Sequence, residues 1–263
     1  MKPDALAQLE KIGILPIVNV KDPALAVPTT KAIVDGGIEV VEITFREAAA
    51  LDSMRAVRQA FPELLIAAGT VVSTDQVDAA IDAGADFIVA PGIVPEVVTH
   101  CLDKGVPILP GVATATELAV GVSLGLSTFK FFPADVAGGL PGIKALRGPF
   151  GGVKFVPTGG INLGNLAGYA QAVAVVAVGG SFVAPNSLVE AGAWDAITKN
   201  AAKAIEISLG LTMGHVGVNC QSAEEARAAT DRFDALFNFT PREIPASFFA
   251  GNVVELMKKP TYG

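Results

Sequence analysis

Residues 65–92 read LIAAGTVVSTDQVDAAIDAGADFIVAPG, and three textures follow one another within them. LIAAGTV is a short apolar run that ends on small residues and a hydroxyl. STDQVDAAIDAGA then places apolar residues three and four apart, with Ser73 or Thr74 positioned to cap a helix. FIVAPG is a second apolar run, closed by Pro91 and Gly92. Strand, helix and strand in that order make a βαβ unit, and its two strands must run parallel. Runs this continuously apolar belong to strands buried on both faces.

The same texture repeats outward in both directions. LPIVNV (from Leu15) and EVVEITF (from Glu39) precede the unit; PILPGV (from Pro107), TFKFFPA (from Thr128), KFVPTGG (from Lys154) and AVVAVGG (from Ala174) follow it. Successive runs begin about 20 to 26 residues apart, the length of a βα unit with short loops. ALAVPTTKAIVDGG, between the first two, repeats the helical spacing and stops at Gly36-Gly37. Eight such alternations predict an α/β fold, a (β/α)8 TIM barrel; an open doubly wound sheet is the alternative. From about Leu209 the texture changes. HVGVNC reads as a strand, SAEEARAATDRFDALF as an amphipathic helix, and TPREIP, ASFFAG and NVVELMKK as three short strands. The expected domains are therefore a barrel over 1–209 and a small βαβββ module over 210–263, too short to bury a good core alone.

Composition narrows the function. The 263 residues carry 19 Lys and Arg against 26 Asp and Glu, a net charge of −7. With 51% hydrophobic and 17% charged residues and a mean hydropathy of +0.51, disorder is excluded. The most apolar stretch, Tyr169 to Pro185, is broken by Gly179-Gly180 and falls short of a spanning helix, so no membrane role is expected. The polar, acid-bearing start MKPDALAQLEKIG does not read as a signal or transit peptide, which points to a cytoplasmic protein. Net negative charge without a basic cluster argues against nucleic acid. Two cysteines, Cys101 and Cys220, give no disulfide framework, and two histidines, His100 and His215, argue against a multi-histidine metal site in the barrel.

Active sites of such barrels lie at the C-terminal strand ends, so polar residues there carry information. Lys130 stands among Phe129, Phe131 and Phe132, where an ammonium is expensive to desolvate and the neutral amine becomes available as a Schiff-base nucleophile. The bland alternative is a lysine snorkelling to solvent, which is the expectation for Lys154 at the beginning of its strand. Glu42, Thr44 and Arg46 alternate along one strand and share the inward face; they suit proton transfer and carboxylate binding, or else a structural ion pair. Gly159-Gly160 and Gly179-Gly180-Ser181 close the last two strands. Exposed N–H groups and a short helix led by Ser181 would favour a phosphate there, although paired glycines can also be plain turns. Thr70 and Pro91 end strands three and four, as a substrate contact and a wall or merely as termini. Pro110-Gly111 reads as a turn.

The series EITFREA, AAGTV, APGIVPEV, ILPGVATATEL, FKFFPA, PTGGI and VGGSFV resembles the 2-keto-3-deoxy-6-phosphogluconate (KDPG) and 4-hydroxy-2-oxoglutarate aldolases. The resemblance runs in order from about Ile14 to Leu209. It implies a class I aldolase with no cofactor, a covalent Schiff base on Lys130 and Glu42 as general acid/base. It also implies a phosphorylated keto-acid substrate, with Arg46 and Thr70 around its carboxylate and Pro91 and Phe132 lining the site. Thr158 would contact substrate, and Gly159, Gly160, Gly179, Gly180 and Ser181 would hold phosphate. Phe45 stands where relatives often carry Leu. Aldolases for the galactonate epimer tend to have Val at the Thr158 position and an Arg in strand one; neither is present. The family implies a homotrimer.

The final stretch resembles one βαβββ module of the vicinal oxygen chelate (glyoxalase-like) superfamily. That likeness implies a divalent metal between paired tails, with His215 and Glu255 of each as ligands, and tail pairing of trimers would make a hexamer. The alternative is a tail that only docks or oligomerises. Two rival functions are a metal-dependent or acid/base enzyme on a phosphate-binding barrel and a non-catalytic phosphosugar-binding scaffold.

Overall fold

The computed structural model describes residues 4–45, 49–210, 216–237, 241–245, 247–250 and 254–258. The chain divides into two compact units, Met1–Gly210 and Leu211–Gly263.

The first unit is an α/β fold around parallel strands. These are β1 (Ile14–Val18), β2 (Val40–Thr44), β3 (Leu65–Gly69), β4 (Phe87–Val89), β5 in two pieces (Ile108–Leu109 and Gly111–Val112), β6 (Thr128–Phe131), β7 (Lys154–Pro157) and β8 (Val178–Gly180). β1 pairs with β2 on one side and β8 on the other, so the sheet curls back on itself. The ladder continues through β3 and β4 to the first piece of β5, while the second piece leads to β6 and β7. Parallel bridges Phe155↔Val175 and Thr158↔Gly179 link the β7 segment to the β8 segment.

Pro110 divides β5 because it has no N–H to donate to the ladder. Its carbonyl still accepts from the Lys130 amide at 2.9 Å. The expected turn at Pro110-Gly111 is therefore the middle of a strand. Gly111 is required there by close approach: an added Cβ would lie 2.1 Å from the Pro91 carbonyl oxygen. Of the two candidate caps, Ser73 is the one used; its hydroxyl accepts from the Gln76 amide ahead of the helix Thr74–Asp82. The helix Ala26–Asp35 ends at Gly36, where a Cβ would lie 2.5 Å from that of Ala201 on the helix Trp194–Leu209.

Residues that alternate outward along the strands build the helix-facing core. Phe129, Phe131 and Phe155 are fully buried there, and Phe131 meets Phe155 edge to face at 6.1 Å; the fully buried Phe87 lies opposite Ala67 and so shares the inward face. At the N-terminal strand ends, Arg58 donates to the carbonyls of Pro62, Leu64 and Gly84 and to the buried Asp86 carboxylate, which also accepts from the Ile66 amide. That clamp ties the starts of β3 and β4 to the helix Ala50–Ala60. Lys154 opens β7 on the exposed side and pairs with Glu10 at 2.7 Å.

The second unit runs β9 (Val216–Asn219), a helix (Ala223–Phe237), β10 (Pro241–Ile244), β11 (Ser247–Ala250) and β12 (Val254–Met257). Its sheet order is β9-β12-β11-β10, with β9 parallel to β12 and the other pairs antiparallel. Cys220, Ala226 and Leu256 form its buried cluster, with Ala229, Phe233 and Val254 packed against them. Among the described residues no helix is long and apolar enough to cross a membrane.

Candidate active site

Parallel pairing sets which side chains meet inside the curled sheet. Glu42 lies opposite Ile17 of β1 and Ala67 of β3, while Lys130 lies opposite Gly111 of β5 and Val156 of β7. Their neighbours Val41, Ile43, Phe129 and Phe131 alternate to the helix-facing layer, so Glu42 and Lys130 both project inward. They converge there. Lys130 Nζ lies 3.3 Å from Glu42 Oε1, with Lys130 only 5% and Glu42 1% exposed. The second carboxylate oxygen, Oε2, is buried with no hydrogen-bond partner among the described residues. A buried carboxylate with an idle oxygen is costly unless a ligand or a proton comes to it.

The phenylalanines act differently from the sequence expectation. Phe129 packs towards Gly121 and Phe131 towards Phe155, both away from the amine, because adjacent strand residues face opposite ways. Phe132, two positions on, is the one that reaches it: Lys130 Nζ sits 5.3 Å from the centre of its ring. Desolvation of Lys130 therefore comes from the sheet interior and Phe132.

Thr70 follows β3 with φ of +64°, a left-handed conformation rare for a β-branched residue and a form of strain that gathers at functional sites. Pro91 follows β4 and is half-buried, its carbonyl against Gly111. Thr158 is buried at the end of β7, and Gly179 faces it so closely that a Cβ would lie 2.3 Å from the threonine hydroxyl oxygen. Gly159 and Gly160 both have positive φ, at +97° and +78°. The carbonyls of Thr158 and Gly159 accept from the amides of Ala134 and Asp135, which brings the loop after β6 onto the end of β7. Gly180 ends β8 within the strand, and the exposed Ser181 opens a turn. The helix expected to start at Ser181 starts instead at Asn186 and is five residues long. Pro185 is its N-cap with ψ of 143°, an extended residue that separates the turn at Ser181 from the helix.

Arg46 lies outside the described residues, as does His215. Glu255, the other expected tail ligand, accepts from the Ser247 hydroxyl at 2.6 Å. Among the described residues no group of three or more His, Cys, Asp and Glu side chains gathers as a metal site would require. A cavity of about 610 Å3 lined by Leu140, Ile143, Lys144, Arg147 and Val173 lies elsewhere, and neither Lys130 nor Glu42 lines it.

Two residues of the site escaped the sequence analysis. An added Cβ on Gly69 would lie 2.3 Å from Glu42 Oε1, so this glycine makes room for the carboxylate. Asn19 follows β1, and its Oδ1 accepts from the Thr44 hydroxyl at 3.0 Å. The available signal for Asn19 was a lone amide at the C-terminal end of the apolar run LPIVNV.

An amine held against a carboxylate inside a parallel sheet is the arrangement of enzymes whose lysine condenses with a substrate carbonyl. The comparisons narrow that class: the chain belongs to the KDPG and KHG aldolase family, whose model matches residues 6–200, and it is a lyase. A 2-dehydro-3-deoxy-phosphogluconate aldolase of Treponema pallidum (strain Nichols) is 42% identical over 199 residues, 76% of this chain and 95% of the relative. The KHG/KDPG aldolase of Escherichia coli (strain K12) is 40% identical over 193 residues, 73% of this chain and 91% of the relative. Among solved structures, the KDPG aldolase of Legionella pneumophila, with pyruvate captured at low pH as a covalent carbinolamine intermediate, is 37% identical with a TM-score of 0.73. That match covers 77% of this chain and 97% of the other.

Proposed function

We propose that this protein is a class I aldolase that cleaves 2-keto-3-deoxy-6-phosphogluconate to pyruvate and glyceraldehyde 3-phosphate, and 4-hydroxy-2-oxoglutarate to pyruvate and glyoxylate. The observation that carries it is the buried contact between Lys130 Nζ and Glu42 Oε1. The curled sheet is read as a (β/α)8 barrel with the site at its C-terminal strand ends.

The unprotonated Lys130 amine attacks the C2 ketone to give a carbinolamine. Loss of water then leaves a protonated imine. Glu42 takes the proton of the C4 hydroxyl, C4 becomes an aldehyde, and the C3–C4 electron pair moves into the imine to give an enamine. Proton return to C3 restores the imine, and water releases pyruvate and the free amine. The iminium is the electron sink, so the scheme needs no metal or cofactor. Arg46 and Thr70 are assigned to the carboxylate, Pro91 and Phe132 to the walls, and Thr158 to the substrate chain. Gly159, Gly160, Gly179, Gly180 and Ser181 are assigned to phosphate. A homotrimer remains the expected assembly. For the second unit, the order strand, helix and three strands supports the likeness to one glyoxalase-like module.

Borohydride reduction in the presence of pyruvate, followed by peptide mass spectrometry, tests the assignment. A reduced pyruvate adduct on the peptide holding Lys130, absent from Lys130→Arg, is expected. An adduct on another lysine, or full cleavage by Lys130→Arg, overturns it.

A further inference from the structure

The inward face of β2 carries a second polar group that the chemistry above leaves idle. Thr44 lies two residues past Glu42, is 3% exposed, and donates its hydroxyl hydrogen to Asn19 Oδ1 at 3.0 Å. Asn19 in turn lies two residues past Ile17, which faces Glu42 across the ladder. Both side chains therefore stand one inward position, about 7 Å, further towards the C-terminal strand ends than Glu42. Asn19 is half-buried, so it faces the open end of the sheet interior.

A valine would fill the place of Thr44 with no polar group to satisfy. The hydroxyl instead donates to the amide oxygen of Asn19 and tethers that side chain, just past β1, to β2. With Oδ1 engaged, the two N–H groups of Nδ2 are the groups left to donate, and neither has a partner among the described residues. A tethered, unpartnered N–H donor at the mouth of a reactive site is suited to a neutral oxygen acceptor on the substrate.

Strand order says which oxygen. β1 lies between β8 and β2. On the functional reading above, on which this inference rests, C2 is bound to Lys130, the C4 hydroxyl is at Glu42 on β2, and the phosphate is at the ends of β7 and β8. The carbon between C4 and the phosphate-bearing C6 is C5, and its hydroxyl falls at β1. We propose that Asn19 Nδ2 donates a hydrogen bond to the C5 hydroxyl of the aldol, and that Thr44 is the residue that positions it. In the condensation direction this is the hydroxyl next to the aldehyde carbon of glyceraldehyde 3-phosphate, and Asn19 sets the preference for an aldehyde that carries it.

Pyruvate has no such hydroxyl, which separates the inference from the chemistry. The test measures condensation of pyruvate with glyceraldehyde 3-phosphate and with 3-oxopropyl phosphate, which keeps the phosphate and lacks the hydroxyl, together with borohydride trapping of pyruvate. The native enzyme is expected to favour the hydroxylated aldehyde in kcat/KM by on the order of 10-fold or more, the worth of one well-made hydrogen bond in a site built for it. Asn19→Val should bring that ratio close to one, with the rate on 3-oxopropyl phosphate and pyruvate trapping preserved. Thr44→Val should lower the ratio part of the way and Thr44→Ser should restore it. Equal losses on both aldehydes in Asn19→Val, or an unchanged ratio, overturn the inference alone. A native protein that traps no pyruvate and condenses neither aldehyde overturns the functional reading and the inference with it.

Discussion

Gly69 has no side chain, and Glu42 uses the space. A methyl group there would collide with Oε1 and with the Cγ of the carboxylate side chain at 2.7 Å, so β3 must shift or Glu42 must rotate away from Lys130. Overpacking of this kind costs about 1–3 kcal/mol. Gly69→Ala is therefore expected to slow aldol cleavage by at least about 10-fold, the rate equivalent of 1.4 kcal/mol, while pyruvate trapping at Lys130 continues. The comparison of cleavage rate with borohydride trapping checks this; native cleavage in a folded Gly69→Ala protein would show that Glu42 needs no such room. At this scale the lysine and the glutamate that meet inside the sheet were legible as candidates, because such residues in otherwise apolar strands demand an explanation. Gly69 and Asn19 were not. A glycine in a strand is common, and its reason lies in an atom of another strand.

Each strand must also hand the chain to a helix at a defined point, and the link after β5 is the best defended. Thr114 and Glu117 form a capping box before the helix Ala115–Ser123, with the Thr114 hydroxyl accepting from the Glu117 amide. Glu117 Oε2 accepts from the amides of Ala113 and Thr114 and from the Thr114 hydroxyl, each at 2.8 Å. Partial burial of Glu117 favours its neutral form, but the hydrogen bonds from Ala113 and Thr114 together outweigh it and hold the carboxyl below the ordinary glutamate value. A folded pKa below the unfolded one means stabilisation that is complete above the unfolded value and disappears as pH falls through the folded one. Thr114→Ala should cost about 1 kcal/mol at neutral pH. The deficit of Glu117→Gln should be visible at pH 7 and shrink at pH 3. Melting temperatures of the three proteins at both pH values decide it; a Glu117→Gln deficit that is the same at pH 3 and pH 7 would rule out the carboxylate as its source. Element existence was largely readable from apolar period, and Ser73, one of the two caps the sequence offered, starts its helix. Pro110 and Ser181 were misread because whether a Pro-Gly pair turns the chain or continues a strand, and where a helix begins after a strand, depend on partners far along the chain.

At the scale of the molecule, the division at Gly210 separates two bodies of different size and character. The family match lies wholly in the first, over residues 6–200, and the Treponema pallidum relative is covered to 95% of its own length by 199 aligned residues. The first unit also holds Lys130, Glu42 and every assigned phosphate contact. A chain ended after Gly210 is accordingly expected to fold and to cleave the aldol with kcat/KM within about 3-fold of the full chain, as a domain with its own core should. Cleavage assays and melting curves of the two lengths test this. An inactive but folded short form would place part of the active enzyme's requirements beyond residue 210. Among the described residues the second unit's buried apolar cluster is Cys220, Ala226 and Leu256, and a unit of this length is expected to have low stability in isolation.

The order of strands and helices, the two-unit division and the candidate lysine and carboxylate were all written in local features: the period of apolar residues, their interruption by Gly and Pro, and charge where charge is expensive. Those features are local because they reflect burial and backbone geometry of a few consecutive residues. The 3.3 Å meeting of residues 88 positions apart, the idle oxygen of Glu42, the space vacated by Gly69 and the Thr44–Asn19 bond were decided only when the sheet curled. Each depends on the register between strands, and register is set by the packing of the whole unit.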